Sequence, residues 1–339
     1  MFERGFEWIV DIKDVEGDAE VMKNFALIGA PGFIAPRHMK AIQETGNQLV
    51  AALDPSDSVG IIDSFFPESA FFSEFERFDR EIDKLRRAGG REQVDYVSIC
   101  SPNYLHDSHV RFALRSDADV VCEKPLVLNP WNIDGLVEAE ANAGRTVNTI
   151  LQLRVHPEIL SLRERIQAEP LDAPKHEVDL TYITARGRWY LYSWKGDEKK
   201  SGGIATNIGV HLFDMLHYIF GALQDNRIHI NTPTRASGYL EYERARVRWF
   251  LSVDLDDIPQ LYREKGQRTY RSITVDGNEI EFSGGFADLH TTSYRLILEG
   301  RGFGLETNRT AIETVATIRA ARALGPTGDC HPLAAAKAG

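Results

Sequence analysis

The sequence has little cysteine and no long apolar run. Its three cysteines, Cys100, Cys122 and Cys330, form no CxxC pair, and two of them lie in strand-like apolar stretches. We therefore expect buried, reduced thiols of a cytoplasmic protein and neither disulfides nor a metal site. No run approaches the roughly 18 apolar residues of a membrane span, and the N-terminus lacks the basic and apolar regions of a signal peptide.

Positive charge is also scarce. The 339 residues include 50 Asp and Glu against 39 Lys and Arg, which gives a net charge of -11. A nucleic acid or an anionic membrane selects basic surfaces, so neither is an expected partner. The 43% of hydrophobic residues is typical of a globular protein, and the length favours about two domains.

The first predicted domain covers residues 22–154. Apolar strands alternate there with helical stretches, which predicts a doubly wound parallel sheet of the α/β class. The predicted strands are 25–30, 48–54, 70–73, 94–100, 118–125 and 146–154, and the predicted helices are 34–46, 57–65, 73–89, 104–116 and 130–144. Residues 1–21 precede a second methionine, Met22, and are treated as an N-terminal extension of unknown role.

The second predicted domain covers residues 155–325. Period-two patterns at 176–184, 236–255 and 270–284 indicate strands of a large open, mostly antiparallel sheet. Helices are predicted at 208–221, 288–300 and 308–325, so this domain belongs to the α+β class. Residues 326–339 are expected to be a loose tail.

A glycine-containing turn follows the first strand. Gly29, Gly32, Phe33 and Ile34 precede a predicted helix, where bare backbone and a helix N-terminus suit a pyrophosphate. Asp54 ends the second strand, where a carboxylate accepts hydrogen bonds from ribose hydroxyls and repels a 2′-phosphate. The spacing departs from GxGxxG, but its place between strand and helix predicts a dinucleotide site with NAD rather than NADP.

Polar residues stand at two further strand tips. Ser101, Asn103 and His106 follow the strand ending at Cys100, and they either cap the next helix or contact the cofactor. Glu123 and Lys124 end the apolar strand before Pro125. Because strand tips of open parallel sheets face the ligand crevice, Lys124 is a candidate for catalysis.

The second domain supplies a possible partner for this lysine. Asn207 and His211 lie four residues apart on one face of a predicted helix, and a histidine beside a lysine forms an acid/base pair. Upstream, Arg186, Trp194 and Lys195 belong to a basic and aromatic cluster. Such a cluster suits an anionic ligand that carries a ring, although a solvated loop is the simpler alternative.

These features together resemble the Gfo/Idh/MocA oxidoreductase family, from Lys23 to about Ile318. The resemblance rests on the glycine turn, "SPN..H", "EKP" and a G-x-H element on a helix. It implies a Rossmann domain followed by an α/β domain that often forms oligomer contacts, here a homotetramer or homodimer. It also implies that Glu123 and Lys124 lie beside the nicotinamide, with Gln152 and Arg154 on the same side.

Longer strings, including "ATNIGVHLFDMLHYIFG", are similar to one branch of that family, the UDP-N-acetylglucosaminuronate 3-dehydrogenases of bacterial O-antigen synthesis (the WlbA/WbpB type). The likeness implies NAD-dependent oxidation of the sugar C3 hydroxyl, with His211 as proton acceptor and Lys124 polarising the oxygen. Asn207 stands where much of the family has aspartate and cannot be the base, so either His211 carries that role or Lys124 is deprotonated in the site. Arg186, Trp194, Lys195 and Asn207 would contact UDP-N-acetylglucosaminuronic acid. The likeness further implies reoxidation of NADH by 2-oxoglutarate.

Two alternatives remain open at the level of sequence. One is another sugar or cyclitol dehydrogenase of the same family whose substrate carries no nucleotide. The other is a protein that binds NAD(H) without catalysis.

Overall fold

Two six-stranded sheets organise the part of the chain that the computed structural model describes, residues 22–170, 172–280 and 288–336. The predicted extension 1–21, residues 281–284 of the last predicted strand run and residues 337–339 of the predicted tail lie outside the described residues. No helix among the described residues is long and apolar enough to cross a membrane.

The first sheet is entirely parallel and has the strand order β3-β2-β1-β4-β5-β6. Its strands are β1 (Asn24–Ile28), β2 (Gln48–Leu53), β3 (Ala70–Phe72), β4 (Tyr96–Ile99), β5 (Asp119–Cys122) and β6 (Val147–Thr149). The chain reverses its direction of progress between β1 and β4, which opens a crevice at their carboxyl ends. The predicted doubly wound sheet is confirmed.

Helices cover both faces of this sheet. They are α1 (Ala35–Glu44), α2 (Phe75–Ala88), α3 (His106–Arg115) and α4 (Pro130–Ala143). The helix predicted at 57–65 is only a 3₁₀ turn at Gly60–Ser64, and the strand predicted at 146–154 ends at Thr149. A 3₁₀ turn at Gln152–Val155 follows, because the chain bends there to enter the next helix.

The second sheet is mixed, with order β12-β11-β7-β10-β9-β8. Its strands are β7 (His176–Thr184), β8 (Leu223–Asn231), β9 (Arg235–Tyr242), β10 (Ala245–Ser252), β11 (Thr269–Val275) and β12 (Asn278–Glu279). Only the β7–β10 pair is parallel, so the predicted mostly antiparallel sheet is confirmed. The predicted run 236–255 is a hairpin of two strands, and β8 was not predicted.

The remaining helices pack either on this second sheet or against the first domain. They are α5 (Pro157–Gln167), α6 (Trp189–Tyr192), α7 (Glu198–Ser201), α8 (Val210–Phe220), α9 (Gln260–Glu264), α10 (Leu289–Leu298), α11 (Leu305–Ala320) and α12 (Pro332–Ala335). Helix α8 is buried along most of its length, and its Phe213 packs edge-on against Trp249 of β10. Helix α10 packs on α1, where Tyr294 and Ile297 join the core of the first sheet.

Part of the predicted loose tail, from His331 to Ala334, is docked on the second sheet. His331 stacks on Phe250, and its Nε2 lies 3.0 Å from the Thr181 hydroxyl. Ala334 of α12 is fully buried against the outer face of the second sheet. The tail docks because it covers apolar strand residues that would otherwise face water.

Gly29 makes the turn after β1 possible. Its φ is +100°, its N–H donates to Leu53 of β2 at 2.8 Å, and a Cβ built on it would lie 2.6 Å from the Cys100 carbonyl carbon. The backbones after β1 and β4 therefore approach more closely than any other residue allows. Gly46 also has positive φ, +74°, but a Cβ there meets nothing within 4 Å.

These two glycines allow a matched test. Both Gly29→Ala and Gly46→Ala should lose roughly 1–2 kcal/mol of unfolding free energy to backbone strain. Gly29→Ala should lose about 1–3 kcal/mol more, because its methyl group collides with backbone that cannot move away. Urea unfolding of both variants measures the difference. Equal losses would contradict the close approach.

Candidate active site

A cleft of about 720 Å³ lies where the carboxyl ends of the parallel strands face the second sheet and the start of α8. Every site residue predicted from the sequence lines it, with the exception of Arg154. The predicted lining residues are Gly29, Gly32, Phe33, Ile34, Asp54, Ser101, Asn103, His106, Glu123, Lys124, Gln152, Arg186, Trp194, Lys195, Asn207 and His211. Both sheets therefore contribute to one site.

One end of the cleft is formed by the glycine turn and the start of α1. Among the described residues no side chain caps this helix; in its first turn the Ala35 and Arg37 N–H groups donate to the Gly32 and Ile34 carbonyls, and Pro36 has no N–H. Asp54 lies across the turn, where burial raises the pKa of its carboxyl group and a hydrogen bond from Ser56 N–H opposes that rise. Phe33 is 90% exposed at the rim. Bare backbone, an uncapped helix and an acid fit the diphosphate and ribose of a dinucleotide.

The residues after β4 form the wall of the cleft and are held by framework hydrogen bonds. Ser101 Oγ lies 2.8 Å from His109 Nδ1. The two ring nitrogens of His106 lie 2.7 and 2.8 Å from the carbonyl oxygens of Pro125 and Ser101. Asn103 Nδ2 donates to the Ser201 carbonyl at 3.0 Å. These side chains fix the loop, and their predicted cofactor contacts stay predictions.

Lys124 projects from the tip of β5 towards the segment that precedes α8. Its Nζ lies 3.5 Å from the Asn207 carbonyl oxygen, at the long limit of a hydrogen bond. Asn207 belongs to a π-helical turn, Ala205–Gly209, whose widened backbone is frequent at functional sites. The Asn207 side chain donates to Tyr190 Oη at 2.8 Å and lies 3.4 Å from Asn103. Asn207 thus connects the two halves of the cleft.

His211 lies on the first turn of α8, and its ring packs edge-on against Tyr182. Burial lowers the pKa of His211 well below its usual value, and the positive charges of Lys124 and Arg271 lower it further, while Glu123 opposes them. Nδ1 has no hydrogen-bond partner among the described residues. The ring is therefore neutral near pH 7 and able to accept a proton, and Lys124 is close enough to act on it.

Cationic side chains surround the other end of the cleft. Lys195 Nζ lies 4.2 Å from the centre of a Trp194 ring. Burial lowers the pKa of Lys195, and repulsion from Arg186 and Lys124 adds to the effect. An anionic ligand would relieve both this repulsion and the cost of desolvation.

Sequence reasoning missed one wall of the cleft. Tyr182 and Thr184 of β7 pair with Arg271 and Thr269 of β11, and all four line the cleft. Arg271 lies over the Tyr182 ring at 5.1 Å. The period-two pattern of β7 could have identified the residues of this wall, because it places Tyr182 and Thr184 on the same face as the buried Val178. The pairing with β11 could not be read from the sequence. Tyr190 and Arg37 were also missed.

Arg154 is the one predicted cofactor contact that does not line the cleft, and its contact with the cofactor stays a prediction. Its Nε and an Nη donate to the two oxygens of Asp214 on α8 at 2.9 and 2.7 Å. The guanidinium also lies over the rings of Tyr218 and Phe303. Its fork is therefore committed to an ion pair between the two halves of the molecule and does not line the cleft.

Comparison with known proteins assigns the family. A family model described as an oxidoreductase family with an NAD-binding Rossmann fold matches residues 23–150. Its companion, the C-terminal alpha/beta domain of the same family, matches residues 164–277. This chain belongs to the Gfo/Idh/MocA oxidoreductase family. The predicted family and the predicted NAD-binding Rossmann domain are confirmed.

Solved and curated relatives place the chain within this Gfo/Idh/MocA family. The WlbA (WbpB) dehydrogenase of Thermus thermophilus is 53% identical, with a TM-score of 0.87 over 92% of this chain and 99% of that one. Its structures contain NAD with alpha-ketoglutarate or with UDP-GlcNAcA. D-glucoside 3-dehydrogenase of Escherichia coli is 28% identical over 38% of this chain, and inositol 2-dehydrogenase of Rhizobium meliloti is 26% identical over 58%. The chain spans only 36% and 54% of the lengths of those two curated relatives.

The two possible roles of Arg154 predict different results. Arg154→Met should cost roughly 3–5 kcal/mol of unfolding free energy, because the Asp214 carboxylate stays buried without its partner. Arg154→Met combined with Asp214→Leu should recover most of that loss and should bind NAD with nearly unchanged affinity. Chemical unfolding and calorimetric titration with NAD measure the two effects. A folded double variant that no longer binds NAD would instead support the predicted contact between Arg154 and the cofactor.

Proposed function

We propose that the protein uses NAD to oxidise the C3 hydroxyl of UDP-N-acetylglucosaminuronic acid to the 3-keto sugar nucleotide. One observation carries the proposal. Lys124 and His211 converge on a single cleft in a chain that is 53% identical to a dehydrogenase solved with NAD and UDP-GlcNAcA. Oxidation of an alcohol needs a base for the hydroxyl proton and a group that stabilises the oxygen, and a neutral imidazole and a cation in one cleft can supply both.

NAD fits the first-sheet end of the cleft. Gly29 leaves the volume that a Cβ would fill, and the glycine turn leads into the N-terminal end of α1, whose dipole favours a diphosphate. Gln152 Oε1 is buried without a partner among the described residues, so an acceptor remains for an amide donor. When bound, NAD supplies the hydride acceptor.

Two side chains manage the proton and the charge on the sugar oxygen. His211 accepts the hydroxyl proton as the C3–H bond breaks and the C3–O double bond forms. Lys124 donates a hydrogen bond to that oxygen and stabilises its developing negative charge. The alcohol loses a hydride and a proton, so the reaction yields the ketone, NADH and one proton.

The substrate carries a diphosphate and a carboxylate, which suit the cations of the cleft. Arg186, Lys195 and Arg271 all line it in a chain whose net charge is -11. A neutral sugar or cyclitol is the second candidate, because the curated relatives include D-glucoside 3-dehydrogenase and inositol 2-dehydrogenase. Arg186 and Lys124 repel Lys195, and a neutral ligand brings no negative charge to offset that repulsion, so the neutral candidate is disfavoured.

Reoxidation of NADH by 2-oxoglutarate belongs to the same proposal. The transfer returns a hydride and a proton to a keto acid and yields NAD and a 2-hydroxy acid. The two carboxylates of 2-oxoglutarate suit the same cations, and the neighbouring dehydrogenase was solved with alpha-ketoglutarate. A role in O-antigen synthesis and assembly into a homodimer or homotetramer stay predictions.

Mass spectrometry tests the reaction directly. Incubation of the protein with UDP-N-acetylglucosaminuronic acid, NAD and 2-oxoglutarate should yield a sugar nucleotide that lacks two hydrogens. His211→Asn should lower kcat about 10²–10⁴-fold, and Lys124→Ala about 10²–10³-fold. Turnover of myo-inositol or glucose in place of the nucleotide sugar would favour the second candidate. Wild-type binding of NAD without any turnover would favour a non-catalytic protein.

The pH dependence follows from the environment of His211. The active form is the neutral ring, and burial together with Lys124 and Arg271 lowers its pKa well below the usual value. We therefore expect kcat/KM to stay constant as the pH falls through the ordinary histidine value of about 6.5, and to decline only at lower pH. Initial rates measured from neutral to mildly acidic pH test this. A decline centred at or above that value would contradict the assignment.

A further inference from the structure

A buried network lies directly behind Lys124 and has no part in the mechanism described above. Glu123, beside the lysine, is 6% exposed, and it meets His38 of α1 and His290 of α10, which are 0% and 2% exposed. The Nε2 atoms of His38 and His290 lie 3.1 and 3.0 Å from the same oxygen, Oε1 of Glu123. The other oxygen accepts the Lys124 backbone N–H at 3.1 Å.

The protons of this network can be assigned from its contacts. A carboxylate only accepts, so both histidines donate from Nε2. Nδ1 of His38 then accepts the Tyr294 hydroxyl at 2.8 Å, and the Tyr294 oxygen accepts the Ser98 hydroxyl at 2.7 Å. Every hydrogen bond in this network therefore has one donor and one acceptor that are consistent with all the others.

Neutral histidines satisfy the network best. Burial lowers the pKa of His38, against the hydrogen bond and charge of Glu123. An imidazolium at His290 would bury a second N–H at Nδ1, which has no partner among the described residues. Burial alone would raise the pKa of Glu123, but the hydrogen bonds from His290 and His38 hold it well below its usual range. The network is thus one buried anion held by neutral donors.

We propose that His38 and His290 are positioning residues, which hold Glu123 as a buried carboxylate so that it fixes the Lys124 backbone and supplies negative charge beneath the catalytic pair. The inference rests on the proposed function for its kinetic consequences. Three elements that are far apart in sequence converge here: the helix after the glycine turn, the tip of β5, and α10. The network therefore couples the cofactor turn to the catalytic lysine.

The charge of Glu123 acts on His211 across the cleft. Lys124 and Arg271 disfavour a proton on His211, and the Glu123 carboxylate favours one. Loss of the anion would make His211 a weaker base. The ionisable groups that face Glu123 are His38, Cys100, His106, Cys122, Lys124, His211, His290 and Tyr294.

The first test compares two substitutions of His290. Glutamine places an N–H donor near the position of Nε2, whereas leucine removes the donor at similar size. We expect His290→Leu to lower kcat about tenfold or more through displacement of Lys124, and to move the acidic decline in kcat to lower pH. His290→Gln should restore most of both effects, and neither should alter the KM for NAD.

Ser293→Ala is the matched control on α10. Ser293 is equally buried, but its hydroxyl donates to Leu289 within the helix and does not contact Glu123. It should leave kcat and the pH profile at their wild-type values. A folded His290→Leu enzyme with wild-type kcat and pH profile would overturn the proposal and leave His290 a packing residue.

A second measurement does not need the substrate. Histidine-selective ¹⁵N NMR at neutral pH should show His38 and His290 as neutral rings protonated at Nε2, with both assignments made through His38→Gln and His290→Gln. An imidazolium or an Nδ1–H tautomer at either position would overturn the network. Absence of turnover in the wild type would refute only the proposed function.

Elemental analysis of the wild-type protein separates the network from a metal site, because two histidines and a glutamate are also possible metal ligands. We expect no stoichiometric divalent ion. One equivalent of zinc or another transition metal that is lost in His290→Leu would overturn the hydrogen-bond assignment.

Discussion

The site depends on a fixed relation between two sheets, and the ion pair between Arg154 and Asp214 holds that relation. Arg154 follows the last strand of the parallel sheet, and Asp214 lies one helical turn beyond His211. Both side chains are nearly buried, at 11% and 2% exposure, and the contact is bidentate. A buried pair of this kind adds little net stability but strongly penalises any arrangement that separates its members. It thereby fixes where α8 presents His211 to Lys124.

Asn207 completes this constraint at the mouth of the cleft. Its carbonyl oxygen lies in the π-helical turn, 3.5 Å from Lys124 Nζ, while its side chain contacts Tyr190 and Asn103. An aspartate would add a negative charge beside Lys124 and compete for the role of base. With an amide at this position, no negative charge is added beside Lys124, and the neutral ring of His211 keeps the role of proton acceptor.

The sequence predicted features that depend on local order and missed those that depend on pairing. Continuous apolar runs with polar residues at their ends were sufficient to predict the parallel sheet. Lys124 was identified because it lies at the end of such a run. Edge strand β8 is largely polar, and its alternation is limited to Ile228 and Ile230 near its end, so it was missed. The ion pair of Arg154 was not predicted because Asp214 is 60 residues away in sequence, and Arg271 became visible only through its register with Tyr182. Propensity and period carry no information about such partners.

The charges of the cleft favour the proposed nucleotide-sugar substrate over a neutral one. Three cations, Lys124, Arg186 and Lys195, lie close enough that burial and mutual repulsion lower the pKa of Lys195. A bound anion offsets the cost of burying these cations close to one another, and a neutral ligand does not. A diphosphate or carboxylate therefore gains affinity that a neutral sugar lacks. Burial together with the charges of Lys124 and Arg271 keeps His211 unprotonated, whereas the buried anion at Glu123 prevents its basicity from falling further. Recognition of an anionic substrate and readiness of the base therefore arise from one distribution of charge.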